Sequence, residues 1–593
     1  MDVTETGLLN APEKKLSLNA LRIRLSSSEA LPQLTILGLL TGLLAGSLLI
    51  GFRELLTLIS TTLVPEGEDH FESLSSLHRF LLPIAGSVVI ILMVKLIRKK
   101  RRSVGVAHVI ERLTMHRGRL PSSSVVLQFF TALIALASGF SVGREGPAVH
   151  MGAGVGSTLG QRLQLPDNTL RILAGCGVAT AISVSFNTPL AGVIFAMEVI
   201  VKQYSLGNFI PVMAASVVAA LMAQLMYGPE PAFHVPAIAM TSMEELLIAA
   251  VMAVCIGIMA GLFIRLQTTM IARRKGHLVL PILFAGLIMG IAGVMVPAVM
   301  GIGYDTLESL LNGGLFGLST LVILLFTKLI VTATVTGLGI PGGIIGPSLF
   351  MGAVCGAVFG SLGEQLLDIP NLNSSFHALL GMVAMMAATL QAPLVALVTV
   401  LELTHNPNII MPAMFVIVIA CLTSGRFFQN RGIFEIQLLK GGHNLEASPL
   451  HQLLRQTGVG SLMNPACSQI PRHPSEEELY DTLEETSDWV LICHEQSLSH
   501  VLPPEKLPDQ HSQDLDLLTL PEVSEIHSIS LQATLYEALE LMNRLSVDTL
   551  AVIPKRTSKR KSRSRNQTTS QACGIITRQD IENFYQGKSA LGV

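Results

Sequence analysis

Residues 143–160 read GREGPAVHMGAGVGSTLG: an arginine and a glutamate set side by side in an otherwise apolar neighbourhood, then glycine and proline. A helix that starts at such a place exposes unpaired backbone N–H groups and a partial positive charge, so it holds an anion without a side-chain cation. Pro147 suits a first helical turn, and the flanking glycines let the backbone approach a ligand. Residues 343–360, GIIGPSLFMGAVCGAVFG, repeat the pattern with eight of eighteen positions identical, and the charged pair becomes Ile344 and Ile345. Two helix starts of this kind would converge on one anion site. The Glu145 carboxylate has two readings there. It is a gate that occupies the anion's place and leaves on protonation or displacement, or it is a capping residue paired with Arg144.

The elements that must position these residues lie in a membrane. The chain has 593 residues, half of them hydrophobic and only 14% charged, with mean hydropathy +0.55. That is outside the range of soluble domains. The stretches Leu31–Phe52, Leu246–Ile264, Gly276–Tyr304 and Ala378–Leu401 carry no charged residue, and each is long enough for a bilayer-crossing helix. The first 30 residues are polar and basic, without the short apolar core of a cleaved signal, and read as a cytoplasmic tail. Arg22 and Arg24 precede the first span and the acidic PEGEDHFE follows it; the N-terminus, the Lys99–Arg102 run and ARRKG at 272–276 read as cytoplasmic. Four of the seven cysteines, Cys176, Cys255, Cys355 and Cys421, fall in apolar helices and read as buried and inert.

The apolar body repeats itself. NTPLAGVIFAMEV at 187–199 matches QAPLVALVTVLEL at 391–403 through Pro189/Pro393, Leu190/Leu394 and Glu198/Glu402, at nearly the offset of the glycine-rich pair. Repeated halves interrupted at corresponding places point to broken helices meeting near the bilayer midplane. From Gly152 onward the small residues also serve close helix packing.

At these residues the sequence resembles the CLC family of chloride channels and anion/proton exchangers. GREGP at 143–147, G-x-x-x-P at 343–347, FNTPLAGVIFAMEV at 186–199, GLGIPGG at 337–343 and IFEIQLL at 433–439 carry the resemblance over about residues 31–440. It implies an inverted two-repeat helical fold, assembled as a homodimer with a separate anion pathway in each subunit. It makes Glu145 the gating glutamate, and the backbone amides of Arg144, Glu145, Gly146, Ile344, Ile345 and Gly346 the anion's partners. Three positions depart from the family pattern. Val104 stands where a serine hydroxyl is usual, Phe434 where a pore-lining tyrosine is usual, and Val199 where exchangers carry an inner proton glutamate. Two hydrogen bonds to the central anion are therefore missing, each worth about 1.5–3 kcal/mol if nothing replaces it. Glu198, next to Val199, is read as a structural carboxylate or as a replacement relay. Lys328 is read as its partner or as a snorkelling or buried helix charge. Ile345 replaces the motif phenylalanine and keeps the amide.

Residues 441–593 are polar. VGSLMNP at 459–465 and ISLQATLYEALELMNRLSVDTLAVIP at 529–554, followed by CGIITRQDIENF, resemble a pair of CBS modules, in which Thr577 and Asp580 would hold an adenine nucleotide's ribose. A dimerisation role is the other reading. The basic run Lys555–Arg565 is a solvated loop or a contact with anionic lipid.

The expected fold is thus an all-α polytopic membrane protein of inverted two-repeat CLC type (repeats about 31–228 and 240–440), with a cytoplasmic α/β CBS-pair-like region. The expected function is transport of chloride or a related small anion through a glutamate-gated pathway in each subunit of a homodimer. Because Val199 cannot carry a proton, the reading leans to passive conduction. An anion/proton exchanger is the alternative, and a nucleotide-sensing scaffold with a vestigial pore a third. No cofactor, metal, nucleic acid or enzymatic chemistry is expected beyond the bilayer, the anion and an adenine nucleotide, and the chain is placed in a plasma or bacterial inner membrane with both termini cytoplasmic.

Overall fold

The computed structural model describes residues 25, 30–64, 67, 69–97, 103–202, 206–229, 244–274, 279–314, 316–367, 374–442, 453–455, 457–484, 487–494, 497–508, 515–520, 523–554 and 572–585. The Lys99–Arg102 and Lys555–Arg565 runs and most of the N-terminal tail lie outside these residues. Contacts divide the chain into two units: 34–161 with 170–446, and 1–33 with 162–169 and 447–593.

The first unit is helical, and its order repeats. Its first half holds α1 (Leu31–Leu63, which begins just before the unit), α2 (Ser76–Leu96), α3 (Val106–Met115), α4 (Ser122–Ala137), α5 (Glu145–Arg162), α6 (Asp167–Phe186), α7 (Pro189–Phe195) and α8 (Leu206–Tyr227). The second half follows with α9 (Glu244–Arg273), α10 (Val279–Met295), α11 (Tyr304–Leu311), α12 (Leu318–Leu338), α13 (Ile345–Leu367), α14 (Ser374–Leu390), α15 (Pro393–Thr404) and α16 (Ile410–Phe428), and α17 (Ile433–Lys440) closes the unit. Element by element, long helix matches long helix and short matches short. Eight helices among the described residues are long and apolar enough to cross a membrane.

The stop signals repeat as well. Gly139 (φ 71°) and Gly339 (φ 110°) end the stretches before the two anion motifs in the left-handed region that glycine favours. Asn187 (φ 58°) and Gln391 (φ 54°) do the same just ahead of Pro189 and Pro393, which open α7 and α15. This corrects two of the four expected spans. Ala378–Leu401 is two helices broken at Gln391–Ala392, and Gly276–Tyr304 ends its helix at Met295, ahead of Pro297. Absence of charge measured apolarity correctly, but proline and the residue before it set the helix ends.

Glycine lets the helices within each half touch. A Cβ on Gly156 would lie 2.0 Å from the Leu173 carbonyl oxygen, and one on Gly356 2.0 Å from that of His377. These two sites correspond in the repeat, so α5 packs on α6 as α13 packs on α14.

In the second unit the same β-α-β-β order occurs twice. Strands β1 (Cys467–Pro471) and β2 (Trp489–His494) pair in parallel around helix α18 (Glu476–Glu484), and β3 (Ser497–Leu502) adds antiparallel, with β4 (Ser524–Glu525) at the edge. Then β5 (His527–Ser530) and β6 (Thr549–Ile553) pair in parallel around α19 (Leu535–Leu545), and β7 (Gly574–Thr577) adds antiparallel before α20 (Arg578–Tyr585). Thr534 and Glu537 form a reciprocal capping box that fixes the start of α19.

Candidate functional site

The two glycine-rich loops meet. Gly143 N–H donates to the Gly343 carbonyl at 2.8 Å, and Gly343 N–H donates back at 2.6 Å. A Cβ on Gly146 would fall 2.6 Å from the Gly343 Cα, so both positions require glycine. The clasp sets the starts of α5 and α13, at Glu145 and Ile345, side by side, as the sequence repeat requires.

Glu145 is fully buried at this junction. Its Oε2 accepts from the Gly346 amide at 3.2 Å, so the carboxylate of one repeat sits on a helix start of the other. Its Oε1 accepts from the Tyr304 hydroxyl. Gly143 leaves the room: a Cβ there would lie 2.3 Å from Oε2. The Arg144 guanidinium lies 5.3 Å from the centre of the Tyr304 ring.

Three cavities bear on the sequence-assigned residues. One, of about 250 Å³, is lined by Arg53, Asp69, His70, Arg144, Tyr304 and Asp305 among others. A second, of about 480 Å³, brings together Val104, Gly146, Ile344 and Phe434. Val104, Gly146, Ile344 and Phe434, four of the sequence-assigned residues, thus line one space, Arg144 lines the first cavity with Tyr304, and Glu145 is bonded to Tyr304 and to Gly346. A third, of about 290 Å³, holds Glu198, Val199, Lys202, Gln391 and Glu435, and shares Phe434 with the second. Lys202 Nζ pairs with Glu435 Oε2 at 2.5 Å.

Glu198 has a structural task. Its carboxylate accepts from the Leu394 and Val395 amides at 3.2 and 2.8 Å. Glu402, its equivalent, accepts from the Leu190 and Ala191 amides at 2.9 and 2.7 Å. Proline opens both short helices and has no N–H, so these are the first free donors of α7 and α15, and each repeat caps the other. Lys328 does not meet Glu198. It is fully buried, donates to the Val299 and Gly301 carbonyls at 3.1 and 3.0 Å, and lies 4.6 Å from the centre of the Phe350 ring, as a buried helix charge would.

Sequence reading missed Tyr304 and Asp69. Asp69, within the acidic stretch that follows the first span, accepts from the Ile302, Gly303 and Tyr304 amides at 3.0, 3.0 and 3.2 Å. With Lys328 bonding the same turn from behind, this fixes where Tyr304 begins α11. The signal was present in GIGYDT, since glycines ahead of a tyrosine fit a tight turn. In the second unit Thr577 and Asp580 do come together, but with each other: the Thr577 hydroxyl and amide both donate to Asp580 Oδ2, at 2.6 and 2.9 Å, at the start of α20.

A family model described as Voltage gated chloride channel matches residues 85–425. A ClcB-like protein of Ralstonia nicotianae, named for chloride channels, is 29% identical over 356 residues, which cover 58% of this chain and 81% of the relative. The H+/Cl− exchange transporter ClcA of Vibrio parahaemolyticus is 28% identical over 340 residues, covering 56% and 70%. The structure of a slow cyanobacterial Cl−/H+ antiporter superposes with a TM-score of 0.60 at 20% identity, over 69% of this chain and 98% of that one. At that identity the likeness speaks for the fold, which is the inverted two-repeat helical architecture read from the repeats, followed here by the α/β region.

Proposed function

Because the chain belongs to the voltage gated chloride channel family, an integral membrane family of anion transporters, we propose that it exchanges chloride or a related small anion for protons. The observation that carries this is the Glu145 carboxylate, buried on the Gly346 amide and bonded to Tyr304, which lines a cavity. A carboxylate there competes with an anion for the same donors, and protonation weakens its hold, so anion entry and proton uptake use one side chain. The relatives named as exchangers shift the reading from the passive conduction that Val199 suggested. Glu198 and Glu435, which share a cavity with Val199 and Phe434, are the carboxylates available to take a proton from the inner side.

The passive reading keeps one specific support, the valine at position 199, apolar and buried at the position where the family resemblance puts the exchangers' proton glutamate. The homodimer, the plasma or bacterial inner membrane, the cytoplasmic placement of both termini and an adenine nucleotide at the α/β region rest on the CLC and CBS resemblance and the basic runs. The mutual bond of Thr577 and Asp580 favours a structural role for that pair.

Simultaneous anion and pH recording from purified protein in liposomes separates the readings. Exchange predicts that a chloride gradient alone drives protons uphill in fixed ratio, and that Glu145→Gln abolishes it. Anion movement without protons restores the passive pathway, and no flux of either leaves a scaffold.

A further inference from the structure

We propose that Tyr304 is the latch of the gate and, once the gate has swung away, a ligand of the anion that replaces it. This rests on Glu145 being the gate. The Tyr304 hydroxyl donates to Glu145 Oε1 while the Gly346 amide donates to Oε2, so the carboxylate is held between one side-chain donor and one backbone donor. A Cβ on Gly346 would lie 3.2 Å from Glu145 Oε2 and 3.3 Å from the Tyr304 hydroxyl oxygen, which puts amide, carboxylate and hydroxyl around one small space. When the carboxylate leaves, the two donors remain, aimed at the place it occupied. A monovalent anion of about chloride's size takes both.

The hydroxyl is built into place. Three amides around Tyr304 are held by Asp69, the carbonyls of the same turn are held by Lys328, and the ring lies under the Arg144 guanidinium. In the cavity of about 480 Å³ the two family hydroxyl positions are Val104 and Phe434, and the hydroxyls lining it are those of Ser103, Thr131 and Thr336. The hydroxyl that meets Glu145 belongs instead to Tyr304, which lines the other cavity, so the proposed anion contact lies there. The charged groups facing this place are Arg53, Asp69, Arg144, Asp305 and Glu308, with His70 beside them.

Tyr304→Phe removes only the hydroxyl and tests both roles, because they predict opposite signs. With Glu145 intact, the variant loses the latch and chloride flux from liposomes rises several-fold. In the Glu145→Gln background the gate is already neutral, and Tyr304→Phe lowers chloride affinity by calorimetry about tenfold, the equivalent of one charge-assisted hydrogen bond at the lower end of its range. Asp69→Asn loosens the turn without touching the hydroxyl and gives the same pair of changes in smaller size, so the proposal is still tested if the phenylalanine variant fails to fold. Flux and affinity both falling, or chloride affinity unchanged in the Glu145→Gln background, overturns the assignment. A Glu145→Gln protein whose flux and pH response match the wild type overturns the gate reading itself and the latch with it.

Discussion

Glu198→Gln and Glu402→Gln separate a structural carboxylate from a proton carrier, because the two residues are equivalent in the fold and unequal in their surroundings. Each carboxylate accepts two backbone N–H groups at 2.7–3.2 Å from the start of the other repeat's short helix. A glutamine offers one acceptor oxygen and turns an NH2 toward the second N–H. One bond becomes neutral and the other N–H loses its partner, a cost of about 1–3 kcal/mol. Loss of the negative charge at a helix N-terminus adds roughly 0.3–1 kcal/mol. Each variant should therefore lose about 1–4 kcal/mol, by similar amounts at the two sites, read as a lower temperature at which the monodisperse detergent-solubilised protein disappears.

Transport should then split the pair. Glu198 shares a cavity with Val199, Lys202, Phe434 and Glu435, and Glu402 does not line it. In liposomes Glu198→Gln should lower the number of protons moved per anion, and Glu402→Gln should leave that ratio unchanged at reduced yield of folded protein. Undiminished thermal stability of both variants would refute reciprocal capping. Equal coupling in both variants would remove Glu198 from the proton route, leaving Glu435 or water.

Glu145→Gln should give anion flux that no longer rises as pH falls, measured by chloride efflux across a pH series. Val104→Ser with Phe434→Tyr places two hydroxyls into the cavity those residues line and should tighten chloride binding by calorimetry, by about 1.5 kcal/mol or more if either reaches the anion. Gly156→Leu should abolish the folded peak in size-exclusion chromatography, since its Cβ alone would lie 2.0 Å from a carbonyl oxygen. Gly51→Ala, with open space around it, should be neutral or stabilise by up to about 1 kcal/mol. In the α/β unit Arg472 donates to both oxygens of Asp516 and holds its carboxyl well below the usual range. Its contribution is present above the ordinary carboxylate range and is lost only as pH falls through the depressed folded value. Hydrogen-exchange protection at Leu518 should therefore survive at pH ~4, and Arg472→Gln should make it fail there.

What the sequence made legible, and what it did not, follows from the symmetry of the fold. The repeat at an offset of about 200 named the equivalent residues: Gly143 with Gly343, Pro189 with Pro393, Glu198 with Glu402. Glycine and proline carried their meaning locally, so helix starts at Glu145 and Ile345 and the close packing after Gly152 could be read without a structure. The charge-free runs could not be divided correctly by composition, because one left-handed glutamine before Pro393 outweighs the apolarity of Ala378–Leu401. The latch was hidden for a different reason: Tyr304 lies 159 residues from Glu145 and belongs to no repeated motif, so only the three-dimensional path of the Asp69-held turn brings them together.

The reciprocal caps stand between these cases. Alignment of the halves marks Glu198 and Glu402 as alike, which taken alone suggests two copies of one local role. In an inverted repeat, however, the pseudo-two-fold axis turns equivalence into contact. A group near the axis in one half meets the other half, and by symmetry the partner's equivalent meets the first. Gly143 bonding Gly343 is that rule applied to backbone, and Glu198 and Glu402 capping each other's helices is the same rule applied to side chains. Glu145 departs from it: its equivalent is Ile345, so the carboxylate crosses to the Gly346 amide and nothing charged crosses back. The one broken symmetry among these contacts is therefore at Glu145, the residue proposed as the gate: its carboxylate sits on the other repeat's helix start with no charged twin making the return contact.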